Sequence, residues 1–260
     1  MSRKVRRLVV KIGTSLLTRD DSHLDAKRMR QFANELVRIR KAGVEVLVVT
    51  SGAIAAGVSE LGWRERPTAI VQKQVAAAVG QPRLMETYRQ LFRSKGVRVA
   101  QLLLTREDFE SQSRAQNAQA TLSALLHSKV IPIINENDSV AVEEIRVGDN
   151  DTLAARVAVL VKADLLVLLT DVEGLMDKHP DHGHGKLISR VEHIGSNVEA
   201  IAHGTSGARG GTGGMQTKIQ AARKATSHGV DMVIASGKRS GVLASLIKGK
   251  PAGTFFSRQK

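Results

Sequence analysis

Short apolar runs rich in β-branched residues recur along the chain and alternate with longer stretches of helical periodicity. Six of these runs predict strands: Val5–Ile12, Val44–Thr50, Val97–Leu104, Val130–Ile134, Leu165–Leu169 and Val230–Ala235. Their residues do not alternate between apolar and polar, which is typical of strands that are buried on both faces. The pattern therefore predicts an α/β fold, with a mostly parallel sheet covered by helices on both faces.

Helical patterns fill the segments between the strands and predict four helices: Asp25–Lys41, Pro67–Lys95, Arg114–Lys129 and Thr152–Val161. Gly80 and Pro82 predict a break within the second helix, because proline lacks the backbone donor that a helix needs. One segment, Val140–Val147, alternates between apolar and polar residues and predicts a β-hairpin.

Composition limits the classes of protein to consider. The chain has 260 residues, 42% of them hydrophobic and 25% charged, so we expect one globular domain over residues 1–260. No apolar stretch is long enough for a membrane helix, and we expect a cytoplasmic protein without a membrane partner. The absence of cysteine excludes disulfides, zinc–thiolate sites and thiol nucleophiles.

The net charge indicates the kind of binding partner. The formal charge of +14 favours binding of anions, which could be nucleic acids, acidic membrane surfaces or small phosphorylated molecules.

Polar clusters lie just after predicted strands or just before predicted helices, where open α/β sheets build their sites. The first contains Lys11, whose ammonium lies within an apolar run and needs an anionic partner. Gly13 and the hydroxyl side chains beside it favour a phosphate, and the alternative is a lysine that extends to water. The second cluster, Thr50-Ser51-Gly52-Ala53, precedes a helix and predicts either a carboxylate or phosphate site or an ordinary helix cap.

Two further clusters are rich in carboxylates and amides: Asn135-Glu136-Asn137-Asp138 and Gly148-Asp149-Asn150-Asp151. Such acceptors suit an ammonium group, a magnesium-bearing substrate or the orientation of nearby lysines. Solvated turns are the alternative, because Asn and Asp are common in turns.

The last cluster combines Thr170-Asp171 with the glycine-rich segment Gly210–Lys218. Glycines let backbone amides approach phosphates, and Lys218 adds a positive charge, although the string matches no Walker A loop. A flexible linker is the alternative.

A separate loop, rich in Gly and Pro, contains His179, His182 and His184. This composition favours a solvated lid over a metal site. Two lysines, glycines and an acidic cluster together predict phosphoryl transfer without a catalytic base.

Six strings in the sequence, taken in order, resemble the glutamate 5-kinases, a branch of the amino acid kinase family: VVKIGTS, VTSGAIAAG, INENDSV, VGDNDTLAA, LLTDVEGL and GTGGMQTK. The resemblance runs from about Val9 to Phe256. It implies a three-layer αβα sandwich, the amino acid kinase (carbamate kinase-like) fold, and ATP-dependent phosphorylation of the γ-carboxylate of L-glutamate, the first step of proline biosynthesis. Many members carry a C-terminal PUA domain, and we expect none in this chain.

The resemblance also implies roles for individual residues. Lys11 and Lys218 neutralise the transferring phosphoryl group, and Asp151 holds both ammoniums. The residues expected to bind glutamate are Ser51, Gly52, Asn135, Asp138, Asp149 and Asn150. The residues expected to bind the nucleotide are Lys11, Thr170, Asp171, Thr212, Gly213, Gly214, Met215, Gln216, Thr217 and Lys218. Asp138 is expected to pair with the α-ammonium of glutamate, and Gln216 stands where a small hydroxyl residue is expected.

The cofactors implied are ATP and Mg²⁺. Further expectations are inhibition by proline, assembly as a homo-dimer or homo-tetramer, and a downstream glutamyl phosphate reductase that consumes the product. Other acceptors within the family remain open, namely N-acetylglutamate, aspartate, carbamate or a nucleoside monophosphate. A basic nucleic-acid-binding protein is the alternative of a different class, although the low aromatic content of 3% leaves few platforms for base stacking.

Overall fold

The computed structural model describes residues 4–19, 23–141, 150–178, 185–202 and 214–259, together with the backbone of 203 and 204. Eight strands form one sheet: β1 Arg7–Ile12, β2 Glu45–Thr50, β3 Arg98–Leu104, β4 Val130–Glu136, β5 Leu165–Thr170, β6 Arg190–Val191, β7 Asp231–Ser236 and β8 Thr254–Phe256. The helices in the described residues are α1 Thr14–Leu17, α2 Ala26–Lys41, α3 Ala53–Glu60, α4 Ile70–Arg93, α5 Glu107–Glu110, α6 Gln112–His127, α7 Asn150–Leu160, α8 Ser196–Gly204, α9 Met215–Thr226 and α10 Val242–Ile247.

The strand order is β3-β4-β2-β1-β5-β7-β8-β6. Every pair from β3 to β7 is parallel, whereas β8 runs antiparallel to β7 and pairs in parallel with β6. Strand β1 lies between β2 and β5, with Lys11 opposite Val49 and Leu168. The strands that follow β1 in sequence lie on both sides of it in the sheet. Sheets of this kind bind ligands beyond the carboxyl ends of such a central strand and its neighbours.

Helices cover both faces of the sheet. On one face, the buried side chains of α2, α4 and α10 pack on alternate residues of β1, such as Val10 and Ile12. On the other face, α6, α7 and α9 pack on Val9 and on its neighbours in β2 and β5. Because successive side chains of a strand point to opposite faces, Lys11 shares the second face with Val9. The predicted three-layer αβα sandwich with a mostly parallel sheet is confirmed.

The six predicted strands are present, each within two residues of the expected bounds. The sequence did not predict β6 and β8, because runs of two and three residues carry no readable periodicity. The predicted hairpin over Val140–Val147 lies almost entirely outside the described residues.

No helix in the described part of the chain is long and apolar enough to cross a membrane.

The predicted break at Gly80 and Pro82 is wrong, because α4 continues through both residues for 24 residues. Gly80 lies where α4 crosses α3 at backbone contact: a Cβ there would stand 1.9 Å from the carbonyl oxygen of Ala53 and 2.3 Å from the nitrogen of Gly57. Pro82 lies on the exposed side of the helix. Tertiary packing of α4 on α3 and on the sheet therefore overrides the local preference of these two residues.

Candidate active site

Polar side chains collect at the carboxyl ends of β4, β2, β1 and β5, which are consecutive strands in the sheet. Parallel neighbours end at the same edge, so clusters that are far apart in sequence meet there. The N-terminus of α7 joins this edge through contacts with the Lys11 side chain of β1 and the Thr50 carbonyl oxygen of β2. The N-terminus of α9 joins it through the contact of Lys218 with Asp151 of α7. The edge is therefore the candidate active site.

Lys11 lies near the end of β1 with its side chain on the face that α7 and α9 cover. Its Nζ lies 2.7 Å from Oδ1 of Asp151, and only 8% of the residue is exposed. The backbone of Gly13 passes beside this ammonium, since a Cβ on Gly13 would stand 3.9 Å from Lys11 Nζ. A lysine inside an apolar strand is thus paired with a buried carboxylate and flanked by a residue without a side chain.

Asp151, the second residue of α7, joins this lysine to a second one. Lys218, in the first turn of α9, places its Nζ 3.1 Å from Oδ2 of Asp151. Asp151 is 1% exposed and Lys218 is 6% exposed. The three buried side chains hold two positive charges against one negative charge, so the cluster carries a formal excess of one positive charge in a region of low dielectric. An anion is the partner that such an excess favours.

The pKa of Asp151 reflects two opposed effects. Burial raises the pKa of this carboxyl group, and the charges and hydrogen bonds of Lys11 and Lys218 together lower it by more. The net result is a pKa that falls from the ordinary value of 3.8 to about 2. Asp151 is therefore ionised at neutral pH. A carboxylate with such a low pKa can orient two cations but is a poor general base.

The N-terminus of α9 is tied to the same carboxylate. The hydroxyl of Thr217 donates to Oδ2 of Asp151 at 3.0 Å and lies 2.9 Å from the carbonyl oxygen of Gly214. The first turn of α9 has no acidic residue, and Gly214 caps it without a side-chain acceptor. The first N–H groups of a helix have no acceptor within it, and together with Lys218 they make this end a suitable binding site for phosphate.

A second polar group surrounds the side-chain amide of Asn150, at the start of α7. Its Nδ2 donates to the Thr50 carbonyl oxygen at 2.8 Å, to Ser51 Oγ at 3.0 Å and to Asn135 Oδ1 at 3.1 Å. The loop at Ser51 turns into α3 through Gly52, whose φ of 100° lies in the left-handed region that favours glycine. Asn150 therefore fixes the loop after β2 against the end of β4.

Comparison of the sequence with known proteins identifies the family of this chain. The Amino acid kinase family matches residues 6–236. The chain belongs to the amino acid kinase family. Proteins named glutamate 5-kinase are similar to it over nearly its whole length: that of Moorella thermoacetica is 51% identical over 97% of this chain and 67% of its own, and that of Clostridium acetobutylicum is 47% identical over 97% of this chain and 94% of its own. A further one, from Pelobacter propionicus, is 48% identical over 98% of this chain and 68% of its own.

The fold of this amino acid kinase is also found among solved structures. The crystal structure of UMP kinase from Bacillus anthracis matches with a TM-score of 0.64 over 99% of this chain and 98% of that one. At 15% identity the match shows a common fold and nothing about the acceptor. The similarities to kinases do not favour the alternative of a basic nucleic-acid-binding protein.

The remaining predicted site residues of the kinase are less closely connected. Thr170 is buried at the end of β5 and its hydroxyl donates to Oδ1 of Asp171, which is exposed. Met215 and Gln216 are half-buried in the first turn of α9, and Asp138 is half-buried in the turn after β4. Asp149, Thr212, Gly213 and the three loop histidines lie outside the described residues.

Sequence reasoning did not single out Gln81 and Gln101, which extend the amide group around Asn150. The Nδ2 of Asn135 donates to Gln81 Oε1 at 2.9 Å, and Gln81 Nε2 donates to Gln101 Oε1 at 2.9 Å. It also did not single out Tyr88, whose hydroxyl lies 2.9 Å from that of Thr50. A single Gln or Tyr within a predicted helix or strand carries no sequence signal that separates a site residue from a structural one. Only the tertiary contacts therefore reveal these residues.

Proposed function

We propose that this kinase transfers the γ-phosphoryl group of ATP to the γ-carboxylate of L-glutamate, forming L-glutamyl 5-phosphate in the first step of proline biosynthesis. The observation that carries phosphoryl transfer is the pair of ammoniums, Lys11 and Lys218, held on the two oxygens of Asp151. The choice of glutamate rests on relatives of 47–51% identity that are named glutamate 5-kinase.

The chemistry needs charge neutralisation and alignment. A γ-carboxylate is ionised at neutral pH, so one of its oxygens attacks the γ-phosphorus without help from a base. The new carboxylate–phosphorus bond forms as the bond to the bridging oxygen of ADP breaks, and ADP leaves with that electron pair. Lys11 and Lys218 stabilise the negative charge on the phosphoryl and bridging oxygens, and Asp151 keeps the two ammoniums in place.

The nucleotide site is proposed around β1, β5 and α9. Lys11, Thr170, Asp171 and the segment Thr212–Lys218 would contact ATP. The support for this assignment is the first turn of α9, whose backbone N–H groups have no acceptor within the helix and which also carries Thr217 and Lys218. Phosphate oxygens are well suited to such donors.

The glutamate site is proposed on the other side of Asp151. Ser51, Gly52, Asn135, Asp138, Asp149 and Asn150 would contact the amino acid. The support is Asn150, whose Nδ2 is fully used by neighbours while its Oδ1 is buried with no hydrogen-bond partner among the described residues. A buried acceptor without a partner is costly, and the α-ammonium of an amino acid is a donor that would satisfy it.

Magnesium is the expected metal cofactor. Among the described residues no group of three His, Asp or Glu side chains is placed to hold a metal ion, and Asp151 is engaged by two ammoniums. Mg²⁺ at phosphotransferase sites is commonly held by substrate phosphates, waters and one or two carboxylates. We propose that Mg²⁺ would be held mainly by the phosphates of ATP and would supply positive charge that offsets the charge of the phosphates.

The resemblance to the glutamate 5-kinases supports four further proposals. The kinase acts in the cytoplasm, assembles as a homo-oligomer, is inhibited by proline, and delivers its unstable product to a glutamyl phosphate reductase.

Trapping of the acyl phosphate tests the proposed function. Purified kinase would be incubated with ATP, Mg²⁺, L-glutamate and hydroxylamine, and γ-glutamyl hydroxamate and ADP would be measured. Parallel reactions would contain L-aspartate, N-acetylglutamate, carbamate or UMP in place of glutamate. We expect hydroxamate with glutamate and no comparable release of ADP with the other acceptors. Turnover of another acceptor without turnover of glutamate would overturn the assignment.

A further inference from the structure

Gln81 connects the candidate glutamate site to β3, the outermost strand on one side of the sheet. It lies on α4 and is 8% exposed, and both ends of its amide are used. Together with Asn150, Asn135 and Gln101 it forms a line of four side-chain amides, which we call the amide relay. Asn135, in the middle of the relay, is 1% exposed. The relay therefore runs through the interior and reaches solvent at β3, where Gln101 is exposed.

The direction of the relay is set at its inner end. The Thr50 carbonyl oxygen only accepts hydrogen bonds, so Asn150 must turn its NH₂ group toward it. The same NH₂ group faces Asn135, which must then present its Oδ1. The NH₂ group of Asn135 consequently points at Gln81, which presents its Oε1. Gln101 is exposed and can rotate its amide to suit either orientation of Gln81.

The acceptor on Gln81 is the buried element that holds Asn135 in this orientation. Without it, the buried NH₂ group of Asn135 loses its only acceptor in the described residues. The Asn135 NH₂ group regains an acceptor only if its amide turns over and Asn150 turns with it, so that Asn150 presents its Oδ1 to Asn135. Asn150 then loses the hydrogen bonds that its NH₂ group donates to the Thr50 carbonyl oxygen and to Ser51.

We infer that Gln81 is a positioning residue that helps to hold Asn150 in this orientation through Asn135, and thereby favours acceptors with an α-ammonium group. This inference rests on the proposed function. The orientation leaves Asn150 Oδ1, which is buried and has no partner among the described residues, as an acceptor. An ammonium satisfies that acceptor, whereas a dicarboxylate without an amino group leaves it unsatisfied.

The test compares Gln81→Met with Gln81→Glu. Methionine fills similar space without an acceptor, whereas glutamate keeps an acceptor toward Asn135 and lets the exposed Gln101 rotate to donate to it. We expect Gln81→Met to raise the KM for glutamate roughly tenfold, as for the loss of a hydrogen bond that leaves a buried donor unpaired. We expect Gln81→Glu to stay within about threefold of wild type, because the bond to Asn135 is kept.

Two readouts separate positioning from general loss of structure. The KM for ATP should not change in Gln81→Met, and the inhibition constant of glutarate, which is glutamate without its amino group, should rise clearly less than the KM for glutamate. Gln119→Met is the matched control, because Gln119 donates one hydrogen bond to the Leu160 carbonyl oxygen away from the relay. We expect wild-type kinetics for this control.

An unchanged glutamate KM in Gln81→Met, or an equal rise in the glutarate constant, would overturn the inference. If Gln81→Met does not fold, Gln81→Glu decides: a rise above about fivefold in its glutamate KM with an unchanged glutarate constant would contradict the relay. Absence of glutamate turnover in the wild-type kinase would be a failure of the proposed function and is seen independently of these variants.

Discussion

Lys11 and Lys218 come from opposite ends of the chain and meet on the two oxygens of one buried carboxylate. Lys11 Nζ lies 2.7 Å from Oδ1 of Asp151, and Lys218 Nζ lies 3.1 Å from its Oδ2. Strand β1 and helix α9 present these lysines, and α7 inserts Asp151 between them. The carboxylate thus sets the distance between two cations that would otherwise repel each other.

Replacement of Asp151 by asparagine tests this arrangement. Asp151→Asn keeps the size of the side chain and removes the negative charge that both buried ammoniums contact. Loss of one partner from a buried ion pair typically costs about 3–5 kcal/mol, so we expect a large fall in the free energy of unfolding. Misplacement of the lysines should also lower kcat by about 100-fold. Urea unfolding and hydroxamate formation measure the two effects, and a variant with wild-type values for both would contradict the role of Asp151.

The stability contributed by Asp151 should depend on pH in the acid range. Its pKa is lowered to about 2 in the folded protein, from an ordinary value of 3.8. A carboxyl group with a lowered pKa stabilises the fold above its unfolded pKa, and this contribution is lost as pH falls toward the folded pKa. The difference in unfolding free energy between wild type and Asp151→Asn should therefore be constant above about pH 5 and shrink between about pH 4 and pH 2.

Urea unfolding across that pH range measures this difference. Glu65→Gln is the control for the removal of one carboxylate, because Glu65 is exposed. A difference between wild type and Asp151→Asn that is the same at every pH would contradict the assigned cause.

The hydroxyl of Thr217 should contribute to turnover through Asp151. Thr217→Val keeps the shape of the side chain and removes the hydrogen bond to Oδ2. Loss of a hydrogen bond to a charged group costs about 1.5–3 kcal/mol, so we expect kcat to fall at least about tenfold. Thr217→Ser keeps the hydroxyl and should retain kcat within about threefold. Steady-state kinetics decides, and equal activity of the valine and serine variants would show that the hydroxyl is unimportant.

The contact between α3 and α4 should tolerate no side chain at Gly80. A Cβ at this position would stand 1.9 Å from the carbonyl oxygen of Ala53, which is backbone and cannot rotate away. We expect Gly80→Ala to destabilise the fold by about 3 kcal/mol, despite the higher helix propensity of alanine. Because Ala53 directly follows Gly52, the displacement should also raise the KM for glutamate. Gln72→Ala, on the exposed surface of α4, should change stability by less than about 0.5 kcal/mol.

The α/β class and the strands were readable because buried parallel strands have a strong local pattern. The Leu165–Thr170 strand, for example, is apolar at five successive positions and buried throughout. Lys11 was readable as a site residue for the same reason, since a charge within such a run is unusual. The continuity of α4 through Pro82 was not readable, because it depends on packing between helices rather than on neighbours in sequence.

The candidate site was readable only in part. Polar strings at strand ends indicate the carboxyl edge of the sheet, which is why the sequence predicts Ser51, Asn135 and Asp151 as candidate site residues. The amide relay was not found, because Gln81 and Gln101 belong to elements that look structural in the sequence. Their relation to Asn135 appears only when α4, β3 and β4 are packed together.

We propose that Lys218, held by Asp151, takes part in phosphoryl transfer from ATP to glutamate. The most direct measurement is the rate of γ-glutamyl hydroxamate formation, at saturating ATP and glutamate, by Lys218→Met and Lys224→Met. Both variants remove one lysine from α9, and Lys224 is exposed in the last turn of the helix, whereas Lys218 is buried in the first. We expect Lys218→Met to lose at least about 100-fold in kcat and Lys224→Met to match wild type. Comparable turnover by the two variants would contradict the claim.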